Sequence, residues 1–227
     1  MIRKNSFEKK LLLSITGETE REWQNKLKEI NRRKIPRVAL FLEFFNKKQR
    51  EKIYKALLLS RIKKIPLVHA RNDMTRDEFV FLAKNFSTRY FTIHEDSFKY
   101  MSKWKGFYKK LFLEMNYDGY IAKKVKVKRI GGFCIDLSHF KAAEERWKKD
   151  FQYILRRNKI HRYFGCNHLN GFSYKTNSDL HTVKNLKDFD YLKTLPRFLF
   201  GKVIALEVFN DIAEQLKFRK YLAKILE

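Results

Sequence analysis

Short apolar runs alternate with longer amphipathic stretches along the chain. Eight runs stand out: Leu11–Ile15, Val38–Leu42, Ile65–His69, Tyr90–His94, Leu111–Glu114, Phe133–Asp136, Tyr163–His168 and Val203–Glu207. Each is apolar on successive residues and rich in β-branched or aromatic side chains, as suits a parallel strand buried on both faces. Between the runs the spacing turns helical. Trp23, Leu27 and Ile30 recur at i, i+4 and i+7, and Ala143, Trp147, Phe151, Ile154 and Leu155 line one face of a long helix after the sixth run. Ile212, Leu216 and Leu222 to Ile225 repeat the pattern at the C-terminal end, with Asn210 or Asp211 as a cap. Thr75 followed by Glu78 reads as a capping box opening a helix after the third run. Residues 117–129 are basic and helix-poor, either a degenerate unit or an exposed loop. Alternating strand and helix signals predict an α/β fold with a parallel sheet. Eight units favour a closed barrel over a doubly wound sheet, and the pattern alone leaves both open.

Polar residues fall at particular places in this pattern. The third run ends in His69, the fourth in His94 and the fifth in Glu114. The sixth ends in Asp136 with His139 close behind, and the seventh in His168, followed by Asp179 and His181. The eighth ends in Glu207 and the second in Glu43. In a β/α barrel the C-terminal ends of all strands face one mouth, where chemistry sits. Five of the six histidines belong to this set; His161, ahead of the seventh run, does not. Each residue also has a plain reading on its own: a hydrogen-bonded strand-end histidine, a solvated glutamate, a capping pair at Asp136 and His139. Together they read differently. Histidine and carboxylate are the ligand set of zinc and other first-row metals. Carboxylates aimed at one mouth repel each other unless a cation lies between them.

Composition adds three points. The 227 residues and 44% hydrophobic content suit one domain spanning 1–227, and eight glycines with three prolines leave no room for a flexible linker. Lys+Arg total 51 against 25 Asp+Glu, a net charge of +26, which favours encounter with polyanions and makes DNA the expected partner. A lysine-rich background composition is the bland account of the same number. Cys134 and Cys166 are too few for a disulfide framework, and the N-terminal apolar run is too short for a signal or a span. These features predict a cytoplasmic, monomeric protein with no membrane association.

The strand-end motifs LVHA, TIHE, LFLEMN, CIDLSH, HLNGF, SDLH and IALEVF resemble those of the endonuclease IV family of apurinic/apyrimidinic endonucleases, in the same strand order along the whole chain. The resemblance implies a compact (β/α)8 TIM barrel with short loops, of the xylose-isomerase-like superfamily. It further implies two to three zinc ions, with manganese as a substitute. His69, His94 and Glu114 would hold the first; Glu114, Asp136, His168 and Glu207 the second; His139, Asp179 and His181 the third. Glu114 would bridge and activate water, with Glu207 as the other catalytic carboxylate. The implied activity is hydrolysis of the phosphodiester 5′ to an abasic site in damaged duplex DNA, during base excision repair. The chain departs from the family where the aromatic wedge should follow the third strand, because Arg71 and Asn72 stand there. Phe44, Phe45, Lys47 and Lys48 are candidate substitute DNA contacts, alongside Arg71 and Asn72, and packing between barrel and helices is the plain reading of the two phenylalanines. A sugar isomerase or epimerase of the same superfold is the alternative; it needs one divalent metal, held by a set like Glu114, Asp136, His168 and Glu207.

Overall fold

All eight apolar runs become strands of one parallel ring. The structure, a computed structural model, describes residues 7–115, 129–146 and 164–227. The strands are β1 (Leu11–Leu12), β2 (Ser14–Ile15), β3 (Ala39–Phe41), β4 (Leu67–His69), β5 (Tyr90–Ile93), β6 (Leu111–Met115), β7 (Gly132–Asp136), β8 (Phe164–Leu169) and, after a hairpin, β11 (Val203–Leu206). Their order is β1-β11-β8-β7-β6-β5-β4-β3-β2. β1 and β2 are successive pieces of one segment. Its first half pairs with β11 through Leu11 and Ile204, and its second half with β3 through Ile15 and Leu40. That shared segment closes the ring, so the barrel prevails over the doubly wound sheet.

The helices start where the sequence offers caps. α1 (Glu20–Arg32) opens on a Thr19–Glu22 capping box, α2 (Lys47–Leu58) on Asn46–Gln49 and α3 (Arg76–Phe86) on Thr75–Glu78. Asp211 caps α5 (Ile212–Ile225). α4 (Leu137–Arg146) follows β7 without a loop, and the rest of the helix expected to continue to Leu155 lies outside the described residues, as do residues 117–128 and His161. Short 3-10 segments, Glu95–Trp104 and Leu186–Thr194 among them, stand between β5 and β6 and ahead of β11. Such thin units let a chain at the short end for this architecture complete the ring. Trp23, Leu27 and Ile30 are buried, as their spacing predicts.

Every residue of β3, β4, β7, β8 and β11 is buried, which is why these strands read as continuous apolar runs. Successive side chains nevertheless point to opposite faces. Leu12, Ala39, Phe41, Leu67, Phe112, Cys134, Cys166, Val203 and Ala205 pack together as the barrel interior, while a larger set joins strands to helices. Cys134 and Cys166 are free, buried partners on β7 and β8. Among the described residues no helix is long and apolar enough to cross a membrane.

Candidate metal centre

The two-residue alternation that fills the barrel interior also aims the site. Two residues beyond Leu67, Phe112, Cys134, Cys166 and Ala205 come His69, Glu114, Asp136, His168 and Glu207. All five therefore point inward at the C-terminal mouth, and each is at most 4% exposed. One donor atom from each of Glu114, Asp136, His168 and Glu207 lies within 4.8 Å of the others. His168 Nδ1 is 3.4 Å from Glu114 Oε2 and 3.3 Å from Glu207 Oε2. Its other nitrogen lies 3.1 Å from Thr92 Oγ1. Asp136 divides its oxygens. Oδ1 accepts from the His139 backbone N–H at 2.9 Å and from Ser138 Oγ at 2.7 Å, capping the start of α4, while Oδ2 accepts from Asn170 Nδ2 at 3.0 Å. The capping reading of Asp136 thus holds through Oδ1, and Oδ2 is left facing the other core donors. Asn170 also reaches Glu207 Oε2, at 3.4 Å.

Two further clusters flank this core. On one side His69 Nε2 and His94 Nε2 lie 3.3 and 3.6 Å from Glu114 Oε2, with their rings stacked at 4.8 Å between centroids. Glu43 joins them: its Oε2 is 2.9 Å from His69 Nδ1 and 3.6 Å from His94 Nε2. On the other side Asp179 sits between two imidazoles, 3.6 Å from His139 Nε2 and 2.9 Å from His181 Nε2. His139 Nδ1 is 4.0 Å from Asp136 Oδ2, which ties this cluster to the core. Asp179 comes from an antiparallel hairpin, β9 (Gly171–Ser173) with β10 (Ser178–Leu180), that sequence reasoning did not foresee. All nine residues expected as metal ligands surround one mouth. Sequence reasoning noted Glu43 only as a strand end and missed Asn170. The signal for Glu43 was the same period of two, running Ala39, Phe41, Glu43 along the inward face of β3.

The electrostatics describe a site that wants positive charge. Burial pushes the Glu114 carboxyl up, but the imidazoles of His168, His69 and His94 outweigh it and hold the group far below the usual carboxylate range. Burial likewise opposes ionised Glu207, and His168 and His69 overcome it. Asp136 ends above its ordinary value, because burial, Glu207 and Glu114 together exceed the pull of His139. Burial disfavours charged His69, yet Glu43 and Glu114 raise it to about 10. Asp136 and Asp179 take His139 against burial to about 10 as well. Protons on imidazole play the part that a cation would play, and a divalent ion held there would displace them. The donor set fits such an ion. His69 Nδ1 and Nε2, His168 Nδ1 and Glu114 Oε2 are buried and make no hydrogen bond among the described residues. Buried polar atoms left so are rare and call for an ion or a water.

The rim sorts the expected DNA contacts. Phe44, 47% exposed, lines a mouth-side cavity of about 560 Å³ with Glu43, Ala70, Arg71, Asn72, His94 and Ser97. Lys47 and Lys48 are exposed at the start of α2. Phe45 is a correction: it is fully buried in the core between barrel and helices and cannot touch a ligand. In the turn after β3 Phe45 is the residue turned inward, and its backbone N–H donates to Leu42 O.

No family model and no curated protein matches the chain. The resemblance to endonuclease IV therefore stands on the strand-end motifs. Among solved structures the chain is similar to the crystal structure of a D-tagatose 3-epimerase-like protein, with a TM-score of 0.58, at 16% sequence identity, over 96% of this chain and 97% of that one. At that identity the likeness establishes the fold alone, an α/β barrel.

Proposed function

We propose that the protein is a divalent-metal-dependent phosphodiesterase acting on DNA, with cleavage 5′ to an abasic site as the reaction its motifs imply. The supporting observation is the pair of histidine clusters flanking the four-residue core. A single-metal enzyme needs Glu114, Asp136, His168 and Glu207, and has no use for His69, His94, His139, Asp179 and His181 beside them. Divalent ions in such a site supply a water acidic enough to lose its proton near neutral pH and neutralise charge on phosphoryl oxygens. The chain's own groups do the rest. Asn170 fixes the orientation of Asp136 and Glu207 by donating to both. Arg71 and Asn72 offer a guanidinium and an amide to a phosphate in the mouth-side cavity, and Phe44 offers a ring face to a base or an open abasic gap. The +26 charge attracts the polyanion.

A second reading has its own support. The core of Glu114, Asp136, His168 and Glu207 is complete for one metal, and the epimerase-like neighbour matches nearly end to end, so a sugar isomerase or epimerase shares this fold and core. The neighbour favours that reading; the flanking histidines favour the first. An incision assay on an abasic-site duplex decides between them. Metal-loaded protein should cut it, chelator should stop it, and Glu114→Ala should abolish it. Failure to cut abasic, undamaged or UV-damaged DNA, together with epimerisation of a ketose, transfers the assignment to the sugar enzyme.

A further inference from the structure

Glu43 has no place in the ligand set that the resemblance implies, yet it occupies the mouth as firmly as the residues that do. Its position follows from β3, whose inward residues Ala39 and Phe41 precede it at intervals of two. The segment around it is anchored on both sides. Leu42 N–H donates to the carbonyl of His69 at 3.0 Å, Phe45 N–H closes a turn onto Leu42, and the Arg50 guanidinium grips the Phe45 carbonyl at 2.7 Å. One donor atom each from Glu43, His69 and His94 lies within 4.8 Å of the other two.

We infer that Glu43 is a metal ligand, forming with His69 and His94 a second site for a first-row divalent cation beside the central one. Donors of a tetrahedral ion with bonds of about 2.0–2.2 Å lie roughly 3.3–3.6 Å apart. The 3.6 Å from Glu43 Oε2 to His94 Nε2 matches that range, and the 2.9 Å from Glu43 Oε2 to His69 Nδ1 lies just short of it. The rival role for Glu43 is to accept a hydrogen bond from His69 Nδ1 and orient the ring, as carboxylates often do behind metal-bound histidine. The 2.9 Å approach invites that reading, but His69 Nδ1 makes no aligned hydrogen bond. His69 is 1% exposed, and its Nδ1, which faces Glu43, has no hydrogen-bond partner among the described residues. Glu43, His69 through Nδ1, and His94 give the ion three protein donors. The remaining position of a tetrahedral ion there is open to water.

The inference needs the metal centre of the proposed function and not its phosphodiester substrate, so its test uses no substrate. Chelator-stripped full-length protein is titrated with Co²⁺, and separately with Zn²⁺. Bound metal is counted by elemental analysis after dialysis, and coordination is read from the cobalt d–d absorption. Wild type should bind at least two ions, one with the intense absorption of four-coordinate cobalt. Glu43→Gln should lose about one equivalent, or weaken one site beyond the roughly 10- to 100-fold expected from a mere orienting partner. Glu43→Asp, which keeps the charge but pulls it back, should retain the ion with an altered spectrum. Glu51→Gln, on the exposed side of α2, should change nothing. Circular dichroism and retention of the central ion confirm folding. Unchanged stoichiometry and spectrum in Glu43→Gln overturn the ligand role, whatever the enzyme's substrate. A wild type that binds no ion at all overturns the metal centre itself.

Discussion

Replacing Arg50 by methionine should cost far more than losing a surface charge. Arg50 lies on α2, fully buried, and four of its hydrogen bonds are defined. Nε and Nη2 donate to the two oxygens of Glu78 at 2.7 and 3.1 Å, and Nη1 donates to Asp73 at 2.9 Å and to the Phe45 carbonyl at 2.7 Å. Glu78 in turn accepts from Tyr54 OH at 2.8 Å and from the Thr75 backbone at 2.8 Å. The network joins the loop after β3, which carries Glu43 and Phe44, to the loop after β4, which carries Arg71 and Asn72. Burial pushes the Glu78 carboxyl up, but Arg50 and the Thr75 N–H bring it below its ordinary value, so the pair is ionised across neutral pH. Arg50→Met strands that charge, and breaking one side of a buried pair costs about 3–5 kcal/mol. For a chain of this length each kcal/mol moves Tm by about 2 °C, so the variant should melt roughly 6–10 °C lower. Adding Glu78→Gln removes the stranded charge, and the double variant should regain at least about 1 kcal/mol. Urea and thermal unfolding of wild type, Arg50→Met, Glu78→Gln and the double variant measure this. A single-variant loss below about 1 kcal/mol, as for an exposed pair, refutes the reasoning.

Two other outcomes follow from buried and exposed neighbours. Lys26 on α1 is 4% exposed and donates to the Val208 carbonyl at 3.0 Å. Burial drags its pKa to about 7 against the partial relief of Glu22 and Asp211. The unfolded chain keeps that proton to about pH 10.4, so between about pH 7 and 10 the unfolded state binds more protons and stability gained from this group rises with pH, by up to roughly 5 kcal/mol. Lys26→Met should flatten that rise in chemical unfolding curves taken across the window, and an unaltered slope contradicts the burial argument. Phe44→Ala should leave Tm nearly unchanged while weakening binding to an abasic-site duplex, and Phe45→Ala should lose about 3–5 kcal/mol of stability. Equal effects of the two on Tm would mean that their faces have been misassigned.

The strands and the site were legible for a single reason, and the misreadings share a reason too. A parallel barrel strand is apolar on both faces until its last residue, where the inward face meets solvent and can turn polar. His69, Glu114, Asp136, His168 and Glu207 are therefore conspicuous in the bare sequence. Glu43 obeys the same rule. It was set aside because the resemblance had no role for it, although its register on β3 was as plain as that of Glu207 on β11. Where regular alternation ends, legibility ends with it. Phe44 and Phe45 follow the turn after β3, where no period says which ring faces out. Asp179 stands out in the sequence as a candidate ligand, but the hairpin presenting it has only three-residue strands of partial burial, too short to be legible. Arg50 and Lys26 are single cations on helices rich in cations, and their partners lie 28 and 182 positions away. No local pattern distinguishes them from solvated neighbours, because burial of a charge is decided by the loop that folds over it. The loops that Arg50 joins carry Glu43, Phe44, Arg71 and Asn72, which line the mouth-side cavity. The inward carboxylates and histidines at the strand ends are thus placed by strands whose logic is local. The rim beside them is held by a buried ion pair whose logic is not, which is why the motifs speak more directly to the donor cluster than to the rim around it.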